Sequence, residues 1–146
     1  MRALPAALGL ALLLTATAAA QALPAFDTGR LYLKEADFNA AIRPYQQAIA
    51  SDARNARAHY WLGFAYLFAY RQYLVQAAPY AATYLGRAVA PLEEAIKLAP
   101  GHPDAYLALH DVYHLMGDMA KADEVILRML RSTRPAWLPP VPARSP

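Results

Sequence analysis

The chain has no cysteine. That excludes a disulfide framework, a thiolate zinc site, a cysteine nucleophile and a lipobox-type lipid anchor. Glycine is sparse, at 6 of 146 residues, and strand-type alternation is nearly absent, which argues against β architecture. Charge is low and mixed. Fourteen Lys and Arg stand against eleven Asp and Glu, a formal net of +3. This is too weak for a nucleic-acid arm or a polybasic membrane patch. The apolar fraction, 58%, is too high for a disordered chain. Catalytic signatures are missing too: no Gly-rich phosphate loop follows a strand, and no G-x-S-x-G elbow occurs. Glu93 and Glu94 are helix neighbours about 100° apart, which is not a paired acid and base.

The N-terminus reads as an export signal. Met1-Arg2 gives a short positive start, and residues 3–14 form an uncharged Ala/Leu-rich run. That length falls within the ~7–15 residues of a signal core and short of the ~20 needed to span a bilayer. Small residues then place cleavage after Ala20 or Ala22. Residues 1–20 are therefore expected to be removed, and the protein to be periplasmic or secreted in a bacterial cell envelope.

Self-comparison exposes a repeat. Gly29 and Tyr32 recur as Gly63 and Tyr66, an offset of 34. Ala41, Pro44, Tyr45 and Ala48 recur as Ala88, Pro91, Leu92 and Ala95, an offset of 47. Leu62 and Tyr66 recur as Leu109 and Tyr113, again at 47; Ala88, Leu92 and Ala95 recur as Ala122, Ile126 and Met129, back at 34. One 34-residue unit used three times accounts for this, with 13 extra residues between Tyr66 and Ala88 of the middle copy. Each unit reads as two amphipathic helices. Asp37 and Asp118 are placed to cap second helices, and small residues at Gly29, Gly63, Ala41, Ala88 and Ala122 permit close helix approach.

The pattern resembles the tetratricopeptide repeat (TPR). Leu62-Gly63 with Tyr66, Gly117-Asp118, Ala41-Tyr45-Ala48 and Pro100 carry the resemblance across residues 22–131. The usual Trp of the first helix is replaced by Ala25, His59 and Tyr106, and His110 takes a small-residue position. The resemblance implies an all-α fold of three stacked hairpins, a short right-handed α-solenoid. Its repeats would be 22–55, 56–102 with the insertion, and 103–131, followed by a Pro-rich disordered tail, 132–146.

The insertion lacks turn residues over 66–77, so it predicts a lengthened helix from about Arg57 to Ala77, with Pro79 in the opening turn of the next helix. Pro44 and Pro91 fall inside second helices and predict mild kinks. Residues 53–92 contain no acid, and nine aromatic residues lie between Tyr60 and Tyr84. Part of this excess is expected in the core, because a central helix has neighbours on both sides. Its last two turns would lack such a partner.

The resemblance also implies a concave groove lined by first helices. On this frame Arg30 and Phe26 belong to copy one, Tyr60, Phe64 and Phe68 to copy two, and Leu107, Asp111 and His114 to copy three, with Arg57 and Arg71 flanking the aromatic face. Such a groove suits a peptide or protein with apolar anchors and some negative charge. The residues therefore read as a non-catalytic interaction module without cofactor or metal. Two alternatives stand beside it: a peripheral envelope protein whose aromatic tip touches lipid or polymer, and a metal-dependent hydrolase resting on the i, i+4 pair His110 and His114, for which His59 or His102 would have to supply a third ligand. At the C-terminus, Val125, Leu127 and Leu130 are candidates for a homodimer face, or for cover by Trp137 and Leu138.

Overall fold

The computed structural model describes residues 23–133. The expected signal segment, and the tail carrying Trp137 and Leu138, lie outside the described residues. Those described form five helices and no strand: α1 (Glu35–Ser51), α2 (Ala56–Val75), α3 (Ala81–Leu98), α4 (Pro103–Leu115) and α5 (Met119–Ser132). The fold is an all-α solenoid of helical hairpins, with α2 and α3 as the lengthened pair and α4 and α5 as the last.

One expected helix is absent. Residues 23–34, the first helix of copy one on the repeat frame, form a non-helical strap. Asp27 Oδ1 accepts the Gly29 N–H at 2.9 Å, a local turn that competes with helix formation. The strap nevertheless buries what that helix would have buried. Phe26 and Tyr32 are almost fully covered and pack on each other at 5.4 Å. Phe26 meets Phe68 of α2 at 5.5 Å, and the Tyr45 hydroxyl donates to the Pro24 carbonyl at 3.1 Å. Helix α1 consequently starts earlier than expected. Lys34 occupies its N-cap position without a side-chain bond, and Asp37 sits in the first turn instead of capping.

Helix α2 is the central wall. Ala65, Ala69 and Tyr73 face a first core shared with the strap, Phe38, Ile42 and Tyr84. Leu67 faces a second core shared with Leu92, Tyr106, Leu109 and Val112. Most aromatics of the insertion are therefore packing residues. Tyr73 and Tyr84 are buried, and Tyr66, Phe68 and Tyr70 are half-buried against the cores. The last turns of α2 do have a partner, in the strap and α3. Pro79 lies in the turn before α3 rather than in its first turn, and Pro44 and Pro91 sit within unbroken helices.

The ends of α2 and α4 are built alike. In α4, the Asp118 N–H bonds to the Tyr113 carbonyl and the Gly117 N–H to that of His114, with Gly117 left-handed at φ 80°. In α2, Ala78 bonds to Tyr73 and Ala77 to Leu74, with Ala77 at φ 54° in the place glycine prefers. Helix starts are capped where expected at Asp118, which accepts the Lys121 N–H, and also at Asn55, which accepts that of Ala58.

The glycines separate by role. A methyl at Gly63 would lie 2.5 Å from Leu92 Cγ and 3.1 Å from the Ala88 carbonyl, so this glycine lets α2 and α3 touch. A methyl at Gly29 meets only Asp27 Oδ1, at 3.4 Å, so its role as a helix contact does not hold. Gly63→Ala is expected to lower stability by about 1–3 kcal/mol and Gly29→Ala to change it little, as read by urea denaturation. Ala77→Gly, which relieves a left-handed alanine, should raise the denaturation midpoint by about 1 kcal/mol of stability.

Candidate partner-binding site

Helices α2 and α4 supply the surface that the repeat frame assigns to the groove. The structure divides the expected residues into two halves. At the upper half, Arg71 Nη2 lies 2.8 Å from Asp111 Oδ2, tying α2 to α4. Both side chains are about half exposed, so the pair adds under ~1 kcal/mol, but it neutralises Arg71 as a basic edge. Phe68 is covered by Phe26 and Tyr32, at 5.5 and 6.4 Å. Arg30 lies on the strap, not on a helix, with its guanidinium over the Tyr32 ring at 5.5 Å.

Gln72 holds this strap by its main chain. Its Oε1 accepts the Tyr32 N–H at 3.1 Å, and its Nε2 donates to the Arg30 carbonyl at 2.8 Å. The upper half is thus already filled by a peptide, one belonging to the same chain. Sequence reasoning missed Gln72. The available signal was an amide, with Gln76 one turn further on, in an apolar stretch without acids.

The lower half is open. Tyr60 and Trp61 pack at 4.8 Å and Phe64 stands 5.9 Å from Tyr60, all three half-buried. Beside them a cleft of about 460 Å³ has Ala95, Ala99 and Ala105 among its lining, with Arg57, His102 and Asp104 also on its walls. Arg57 and Asp104 form no ion pair among the described residues. Burial, and then the Asp104 charge, push the Tyr60 hydroxyl above its ordinary pKa. Trp61, His102 and Asp104 were not assigned to the site from sequence. A larger hollow of about 800 Å³ lies between α3 and α5, where Arg128 already grips Glu93 through two bonds of 3.1 and 2.9 Å.

His110 and His114 stack at 6.0 Å, and Asp111, the acid between them, is engaged by Arg71. The imagined third ligands sit elsewhere. His59 bonds to the Ala53 carbonyl at 2.9 Å, and His102 lines the lower cleft at the other end of α4. Among the described residues no three His, Asp or Glu side chains cluster as metal ligands.

Residues 29–67 match the family model described as TPR repeat, and residues 105–136 match that described as Tetratricopeptide repeat. Over these two stretches the chain is similar to tetratricopeptide repeats. The first match runs from the strap through α1 into α2, and the second covers α4 and α5. Between them lie the lengthened end of α2 and the whole of α3. No curated protein matches the chain. TPR stacks are in general scaffolds that hold other proteins.

Above α2 the first core gathers a tyrosine cluster. The Tyr84 hydroxyl donates to Glu35 Oε1 at 3.0 Å, and Tyr73 lies 5.1 Å from Tyr84. Burial raises the hydroxyl pKa of Tyr32, Tyr45, Tyr60, Tyr73, Tyr84 and Tyr113 above 10.0, and Tyr84 is raised furthest, helped by its bond to Glu35. A raised value favours the neutral hydroxyl in the folded state. The resulting stability is whole below the unfolded value near 10 and is lost as pH rises above it. Alkaline titration followed at 295 nm should show tyrosinate appearing together with loss of helical circular dichroism. Full ionisation with helicity intact would contradict the packing described.

Proposed function

We propose that the chain is an exported, non-catalytic protein–protein interaction module that binds a peptide or protein partner at the lower half of the α2–α4 surface. The observation that carries this reading is the open aromatic cleft: Tyr60 and Trp61 line it half-buried, with Phe64 packed behind them, beside an Arg57 and an Asp104 that have no ion partner among the described residues. Half-buried aromatics in a concave, alanine-floored cleft can accept an apolar anchor with little reorganisation. Arg57 then orients a segment carrying negative charge. Arg30, Phe68, Arg71 and Asp111 are taken up by the fold, and His114 flanks the filled end, so the binding set contracts to Arg57, Tyr60 and Phe64 together with Trp61. Export rests on the character of residues 1–20 and is consistent with a cysteine-free chain.

The test is affinity capture from a bacterial envelope extract with the full chain and with its Tyr60→Ala/Phe64→Ala variant. A protein enriched at least ~10-fold less by the variant, at unchanged helicity, is the expected result. Equal capture by both would move the site off this cleft. Phe68→Ala should instead lower stability by about 2 kcal/mol, because Phe68 packs under the strap. A reporter fused after residue 22, assayed for export, tests the localisation separately.

A further inference from the structure

Helices α3 and α5 leave a hollow of about 800 Å³ between them. Ala90, Ile96, Pro100 and Tyr106 give it an apolar lining. The Tyr106 hydroxyl is already engaged by the Pro100 carbonyl, at 3.1 Å. The acids are engaged as well. Glu93 is gripped by Arg128 through its two bonds, and Glu94 is held by Lys97 at 3.3 Å. Of the charged groups on its walls, Arg131 alone has no ion partner among the described residues. The hollow therefore lacks apolar filling rather than an ion. A flat guanidinium fixed by its fork, with a free one beside it, suits the face of an uncharged aromatic ring.

The chain itself brings such a ring to the rim. Arg128, Arg131 and Ser132 form the α5 wall of the hollow, and α5 ends at Ser132. Residues 134–146, outside the described residues, continue from that wall. Trp137 follows Ser132 by five positions, a reach of up to about 17 Å. Residues 135–142 read Pro-Ala-Trp-Leu-Pro-Pro-Val-Pro and carry no charge, which matches a site whose acids are taken. Proline restricts a chain before it docks and so lowers the entropy cost of docking. An aromatic ring buries ~150–250 Å². A tether this short also sets an effective concentration in the millimolar range. A contact too weak to hold a separate peptide is then sufficient within one chain.

We propose that Trp137 folds back into the α3–α5 hollow, its ring on Pro100 and Tyr106 and against the Arg128 guanidinium, so that the segment after α5 clasps the last two hairpins together. The rival seat is the outer stripe of α5. Leu127 and Leu130 there are 42% and 52% exposed, but neither lines a hollow, so a ring on them is covered on one face alone. Val125 needs no cover, because α5 already buries it. The turn between α3 and α4 presents Pro100 to the hollow and Ala99 and His102 to the Tyr60 cleft. The seated ring backs a wall of that cleft without entering it, and its seat does not depend on what the cleft binds.

Trp61 and Trp137 are the two tryptophans of the chain, so Trp61→Phe makes Trp137 the sole one. In that full chain Trp137 should emit at shorter wavelength than N-acetyltryptophanamide and be quenched by acrylamide several-fold less. Ala90→Lys/Ser132→Lys, at two exposed positions on the walls of the hollow, should return both readings to the free values with helicity unchanged. Leu127→Asp/Leu130→Asp should alter neither. Trp137→Ala in the otherwise unmodified chain leaves the hollow untouched and should lower the urea midpoint. A Trp137 as open to acrylamide as the free amide, or an unchanged midpoint on its removal, overturns the proposal. Shielding that survives the two lysines overturns it too, as does shielding lost with the two aspartates, which would put the ring on the outer face of α5. Shielding that grows with protein concentration overturns it in favour of a second copy's tail in the hollow.

Discussion

The close approach of α2 to α3 is the contact on which the molecule depends. It requires the absence of a side chain at Gly63, where Leu92 and the Ala88 carbonyl occupy the space a methyl would need. With that approach made, α2 presents Ala65, Ala69 and Tyr73 to one side and Leu67 to the other, and two cores form on one wall. Its lack of acids follows from this position. A helix covered on two flanks has little surface on which an unpaired charge is inexpensive. The charges it does carry, Arg57 and Arg71, lie at its exposed strip, one beside the open cleft and one tied to Asp111.

Much of the architecture was legible because repeated residues report repeated geometry. The 34- and 47-residue offsets located the helices of copies two and three, and the absence of breakers over 66–77 gave the length of α2 to within two residues. The strap was not legible. Gly29 and Tyr32 keep the repeat frame, but the frame records which side chains are buried, not the backbone that delivers them. Tyr32 is buried as a first-helix tyrosine would be, from a segment whose local turn at Asp27 opposes helix. The same substitution explains the site. Phe68 and Arg71 have the right spacing for a groove, yet cover by the strap and pairing across to α4 are tertiary facts with no local signature. Tyr60 and Arg57 lie beyond the strap's reach and line the lower cleft, while Phe64 beside them packs against both cores.

Composition was a poorer guide than position. Nine aromatics in one stretch suggested a sticky tip, but the rings are largely consumed in joining the strap, α1, α2 and α3. Apart from Tyr80, the exposed large apolar side chains on the strap and at the ends of α2 and α4 are leucine, valine and methionine, scattered over separate segments. No window of sequence contains them together.

The strap has one more consequence, for the order in which the structure yields to heat. Its polar holds are made to Tyr45, 21 residues from Pro24, and to Gln72, 40 residues from Tyr32, while each helical hairpin is closed by neighbours in sequence. Closing such a loop costs about 3 kcal/mol in chain entropy, which the burial of Phe26 and Tyr32, roughly 2 kcal/mol each, only modestly exceeds. The strap is thus the segment with the thinnest margin. Its release would bare Phe68 and Gln72 while leaving the α2–α3 pair standing, so a brief thermal opening would extend the cleft at Tyr60 along the whole length of α2.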